Sequence, residues 1–160
     1  MAAIARRAGV VRATIYVHFP TRESLIEAVT QHVVDEVAQV IVSAQPDRGD
    51  PVEALERVVA AAWRTLGRHH ALVEINSRLP QEELHGRHGP VLAQLGPLIA
   101  RGQQDGAFRA DVPDTWHLAT LLALIHAASA ELRAGRIDEE RVVDVLRASL
   151  VGALTAGSHR

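Results

Sequence analysis

At 160 residues the chain is long enough for one sizeable core, or for a small head and one larger domain. Hydrophobic residues make up 48% and aromatics only 3%, so any core must be built from Leu, Val, Ile and Ala. The absence of cysteine excludes disulfides and thiol chemistry, and no apolar run of about 18 residues is present to span a membrane.

All 17 basic residues are arginine and the net charge is −2, which argues against indiscriminate nucleic-acid binding. The distribution is uneven. Residues 1–22 carry Arg6, Arg7, Arg12 and Arg22 and no acid, while the other 13 arginines share the remainder with all 19 acids. Positive charge able to displace counterions from a duplex therefore sits at one end of the chain.

In chain order, Ile4, Ala5 and Ala8 share one face of a short helix, and Gly9 supplies the permissive backbone of a tight turn. Arg12 to Phe19 is a second helical pattern, with Ile15 and Phe19 four apart and facing inward. Pro20 stops it, because the residue before a proline is pushed out of the α region. Thr21 is placed to cap a third helix.

Helix, turn, helix in this order predicts a DNA-reading unit, whose second helix enters the major groove with its N-terminal residues at the base edges. Arg12 holds that position, and a guanidinium is the commonest reader of guanine O6 and N7. Thr14, Tyr16 and His18 carry donors suited to phosphates, and Ala13 and Val17 are compact enough for close approach. The spacing alone also fits an ordinary corner between helices.

The run Thr14-Ile-Tyr-Val-His-Phe-Pro-Thr-Arg-Glu-Ser-Leu25 is more specific. With Ile4-Ala-Arg-Arg-Ala-Gly-Val10 and Ala13 it resembles the tetracycline-repressor (TetR) family of bacterial one-component regulators. The resemblance implies Arg12 and Ala13 at base edges, Thr14, Tyr16 and His18 at or near phosphates, and Arg22 at a phosphate from the start of the next helix. Two positions depart from the family pattern. Val11 stands where a capping Ser or Thr is usual, and Val17 where a polar or aromatic residue is common. Family members also carry a helix ahead of this motif. An upstream truncation is one account of its absence, favoured by the intact motif; a natural start with a weakened head is the other.

The remaining chain reads as helices. Thr21 to Ser43 is one long pattern, Val52 to Arg68 repeats it after the loop Gln45 to Asp50, and Pro51 suits a first turn. A short helix is expected over Ala71 to Leu79. Pro90 to Gln104 is helical, with Pro97 expected to kink or divide it. Asp105 to Pro113 reads as a connection, and helices follow over Asp114 to Ala134 and Asp138 to Ala156, with Asp138 as a cap. The last two are apolar on more than one side and rich in Ala, Ser and Gly, which suits burial in both a core and an interface.

The expected fold is all-α. A helix-turn-helix head over residues 1–28 precedes a helical body over 29–160. The resemblance implies a homodimer through the last two helices, double-stranded operator DNA of near-palindromic sequence as partner, and a small-molecule effector held in the body. Candidate effector contacts are Trp63, Leu66, Asn76, Leu98, Trp116, Leu122 and His126, each of which also has an ordinary packing or capping explanation. Histidines at 69, 70, 85 and 88, with Glu82 and Glu83 nearby, have metal-ligand chemistry; in loops of such a chain they are more often solvated, and neither metal nor cofactor is expected. No phosphate-cradling glycine loop or nucleophile motif points to an enzyme. The reading is a cytoplasmic ligand-responsive repressor. The alternative is a ligand-binding helical dimer that does not engage DNA.

Overall fold

A computed structural model describes residues 1–69, 72, 73, 75 and 86–155. Among these residues seven helices are defined: α1 (Ala2–Ala8), α2 (Arg12–His18), α3 (Arg22–Ser43), α4 (Pro51–Gly67), α5 (Gly89–Gln104), α6 (Asp114–Arg133) and α7 (Glu139–Leu154). The chain is all-α, and among the described residues extended pairing is confined to an isolated antiparallel bridge between Phe108 and Thr155. It divides into two compact units, Met1–Val33 and Val34–Arg160. Most of the helix expected over Ala71 to Leu79 lies outside the described residues.

In the first unit, α1 ends at Gly9, whose φ of 68° is left-handed. The Gly9 and Val10 amides fold back onto the carbonyls of Arg6 and Ala5, a turn that an L side chain would strain. Ala5 and Ile15 are the buried side chains of α1 and α2. The inward face is narrower than the sequence pattern implies: Ile4 and Ala8 are exposed, and Phe19 is half-buried. Val11 precedes α2 with no side-chain cap bond, as its chemistry requires. Phe19, just before Pro20, is extended at φ −132°, so the proline stops the helix as expected.

The start of α3 is better secured. The Ser24 amide donates to Thr21 Oγ1 at 3.0 Å, and the Thr21 amide donates to Ser24 Oγ at 3.2 Å. This is a reciprocal capping box, with Ser24 in the place usually taken by Glu or Gln.

In the second unit α4 packs on α5 and α7, α5 packs on α6, and α6 packs on α7, which closes a ring of four helices. Its core is aliphatic as the composition demands: Leu55, Val58, Leu98, Ile99, Leu121, Val142, Leu150 and Leu154 are almost wholly buried. Asp50 caps α4, accepting from the amides of Val52 and Glu53, and Pro51 occupies the first turn.

Two local expectations need correction. Helix α5 runs unbroken through Pro97 rather than dividing there. Both Pro97 and Ala93, the residue whose carbonyl loses its helical donor, lie on the exposed side, where water can serve that carbonyl. Asp138 precedes α7 but makes no side-chain cap bond; its backbone carbonyl accepts from the Arg141 and Val142 amides.

The connection after α5 is tightly held. Phe108 is 1% exposed, and its ring lies 6.5 Å from that of His117. The Arg109 carbonyl accepts from Gln103 Nε2 at 3.2 Å and is 2.9 Å from His117 Nε2. The Arg109 amide donates to the Leu154 carbonyl at 2.8 Å. One aromatic plug thus fastens α5, α6 and the end of α7 together.

Candidate nucleic-acid interface

The seven residues singled out for DNA lie on α2 and the first turn of α3. Arg12, Ala13, Thr14, Tyr16, Val17, His18 and Arg22 are all exposed, and Val17 is 77% so. Ile15, which interrupts the series, is the residue of α2 that turns inward. A seven-residue helix with one buried anchor leaves the rest of its surface to a partner.

The geometry adds a pairing. Arg12 Nη2 donates to Tyr16 Oη at 3.0 Å, and the guanidinium carbon stands 5.1 Å from the centre of the tyrosine ring. Residues four apart on a helix meet in this way, and a guanidinium over an aromatic face is attractive in its own right. The contact restrains a long side chain before any partner arrives. It leaves Arg12 with further N–H donors, and frees the Tyr16 hydroxyl proton, since that oxygen is the acceptor. The i, i+4 spacing was the available signal for this pair in the sequence.

Arg6, Arg7, Arg12 and Arg22 are exposed and make no ion pair among the described residues. Arg6 and Arg7 lie in the last turn of α1 and extend the cationic surface beyond the seven residues read from the motif. Such unneutralised guanidiniums suit phosphate oxygens.

The family model described as bacterial regulatory proteins, tetR family, matches residues 1–29. An uncharacterized HTH-type transcriptional regulator of Mycobacterium tuberculosis is 31% identical over 163 aligned residues, covering 96% of this chain and 82% of that protein. The chain belongs to the tetR family.

It is accordingly a helix-turn-helix transcriptional regulator. The transcriptional repressor NicS of Pseudomonas putida is 33% identical over 110 residues, 61% of this chain; the match spans 50% of NicS, about half its length. The tetR-like regulator LfrR from Mycobacterium smegmatis, solved in complex with proflavine, superposes with a TM-score of 0.72 at 25% identity, over 96% of this chain and 84% of that one. The fatty acid degradation regulator FadR from Bacillus halodurans, at 20% identity, shares the fold with a TM-score of 0.77 over 96% and 87%.

The effector candidates differ in burial. Trp63 on α4, Leu98 on α5 and Leu122 on α6 are buried, and Leu66 is half-buried. Leu98 also lines a cleft of about 420 Å³ with Gln94, Pro97 and Arg101. Trp116 is 62% exposed at the start of α6, and Asn76 lies outside the described residues. So do His70, His85, Glu82 and Glu83; the described residues hold no group of three metal-ligating side chains.

His126 is the unusual one. Its Nδ1 is buried without a hydrogen-bond partner, and its ring meets that of His88 edge to face at 5.9 Å. Burial, and then the His88 charge, lower its pKa below the ordinary 6.5. The unfolded chain therefore holds the proton more tightly, and stability from this group is complete above pH 6.5 and lost as pH falls through the lowered value. Glu36, held down by its hydrogen bond from Arg68, and Asp111, held to about 2 by Arg109, act only at lower pH. Thermal melts between pH 7.5 and 5.5 should decline on acidification, and His126→Leu should flatten the decline. An unchanged slope in the variant would remove His126 as its cause.

Proposed function

We propose that this chain is a ligand-responsive repressor that binds a near-palindromic operator as a homodimer. The observation that carries the reading is the exposed face of α2, where Arg12 is stacked on Tyr16, in a head whose Arg6, Arg7 and Arg22 are likewise exposed and without an acidic partner. Arg12 and Ala13 would meet base edges, Thr14, Tyr16, His18 and Arg22 the phosphates, and Val17 the groove by close approach. Residues 1–28 would serve as the DNA-binding domain and 29–160 as the effector and dimerisation domain. No helix among the described residues is long and apolar enough to cross a membrane, in keeping with a cytoplasmic site of action.

Dimerisation through α6 and α7 is supported by what those helices leave uncovered. Ala123 and Ala127 on α6, and Val145, Ala148, Ser149, Gly152 and Ala153 on α7, are exposed. Gly152 stands inside a helix, where glycine costs about 1 kcal/mol relative to alanine. Within one chain nothing lies within 4 Å of where its Cβ would be. The close approach of a second subunit would give that glycine a purpose. The proflavine bound by LfrR supports a small-molecule effector, and Trp63, Leu66, Asn76, Leu98, Trp116, Leu122 and His126 are the residues we assign to it. An effector would act by its differential affinity for the two states of the dimer.

Gly152→Arg tests the assembly. A long cationic side chain on that face should convert the dimer to a monomer on a sizing column while circular dichroism stays helical. Gel shift on the DNA upstream of its own gene should weaken in parallel, because two half-sites then no longer bind as one. A dimer that survives the substitution would place the interface elsewhere.

A further inference from the structure

We propose that a cleft bounded by α3, α4 and α7 is a separate binding site for a small organic carboxylate with an apolar body. It lies wholly in the second unit, apart from the effector residues assigned above, and stands independently of DNA binding. The cleft holds about 720 Å³, of the size that small-molecule sites occupy. Val40 of α3, Ala44 just after it, and Ala60 and Ala61 of α4 give it an aliphatic surface. Three arginines, Arg57, Arg64 and Arg147, line it with two acids, Glu53 and Glu56.

The state of each charge decides what can enter. Glu56 is taken: Arg147 Nη2 donates to it at 2.7 Å. Arg57 donates to the backbone carbonyls of Ala44, Gln45 and Arg48, which are neutral, so its positive charge is not cancelled. Arg64 is exposed and has no partner among the described residues. Glu53 lies three turns of α4 before Arg64, about 16 Å along the axis, and leaves the Arg64 end cationic. The wall of the cleft also holds an unmet donor, since Arg147 Nε is buried and bonded to nothing. A free guanidinium next to a patch of alanines suits a ligand with a carboxylate at one end and hydrocarbon behind it. The carboxylate pairs with Arg64, and the hydrocarbon covers Ala60 and Ala61.

The test is isothermal titration of the 160-residue chain with hexanoate at low ionic strength, with sulfate as the purely ionic comparison. Saturable binding of one hexanoate per chain is expected. Arg64→Ala should weaken it about tenfold, the scale of one hydrogen-bonded charge pair. Ala61→Leu, which adds bulk to the aliphatic lining and keeps every charge, should weaken it as well, while Arg141→Ala on the exposed side of α7 should not. The proposal fails if hexanoate gives no saturable heat. It fails equally if sulfate binds as tightly as hexanoate, or if Arg64→Ala and Ala61→Leu, shown folded by circular dichroism, both bind like the parent.

Discussion

Arg12→Ala should weaken binding to the cognate operator by about 10- to 100-fold, the effect of losing one base-reading guanidinium worth roughly 1–3 kcal/mol. On a non-cognate duplex of equal length the loss should be only a few-fold, since there the side chain contributes charge alone. Arg12→Lys separates these terms. It keeps the charge but lacks the planar fork, so it should restore non-cognate affinity and leave the operator deficit largely in place. Tyr16→Phe removes the oxygen that accepts from Arg12 and the proton available to phosphate, while keeping the ring under the guanidinium. Its expected cost is several-fold. Fluorescence anisotropy on the two duplexes measures all four proteins. Equal losses on both duplexes in Arg12→Ala would remove Arg12 from base reading.

Gly102→Ala should destabilise the body. A Cβ there would fall 2.8 Å from Phe108 Cγ and closer still to Cδ2 and Cε2. The ring cannot step aside, because it is 1% exposed and its own amide donates to the Gly102 carbonyl at 2.9 Å. Overpacking of this kind costs about 1–3 kcal/mol or more, offset by about 1 kcal/mol of improved helix propensity. A fall of roughly 5 °C in melting temperature is expected, on the scale of 2–4 °C per kcal/mol for a chain of this size. Phe108→Leu alone should also destabilise, by opening a cavity. Combined with Gly102→Ala it should cost less than the two single changes added together, because the smaller side chain yields the space. Additive effects would show that the two residues do not share that space.

Much of the head was legible in the sequence because its signals are local. Gly9, the proline at 20 and the cap at Thr21 act over three or four residues, and each appears where the chain places it. The all-α body was legible for a related reason, since aliphatic residues recurring at three and four fix a helix and its inward side. Failures came where a residue's fate depends on something distant. Pro97 was expected to kink or divide α5; the helix is not divided, and the sequence does not say that Ala93 and Pro97 lie toward water. Asp138 has the right chemistry for a cap, yet its side chain is not used.

Phe108 was invisible as a keystone. It is a lone aromatic in a stretch read as a connection, and its role depends on Gly102, His117 and Leu154, which periodicity does not bring together. The exposed side of α2 was legible residue by residue, whereas the Arg12–Tyr16 contact was signalled only by its i, i+4 spacing. The effector residues rested on resemblance alone. They range from buried Leu98 to exposed Trp116, and a helical pattern does not say which side chains converge on a ligand.

The most direct measurement is the salt dependence of binding to the DNA around this chain's own gene, by anisotropy, for the 160-residue protein and Arg12→Ala. Tight binding is expected, its logarithm falling linearly with the logarithm of salt at a slope set by several phosphate contacts. In Arg12→Ala the line should keep nearly the same slope and drop by about one to two decades. A chain that binds this DNA no better than random duplex, or an Arg12→Ala line lying on that of the parent, would contradict the assignment of α2 as the reader of an operator.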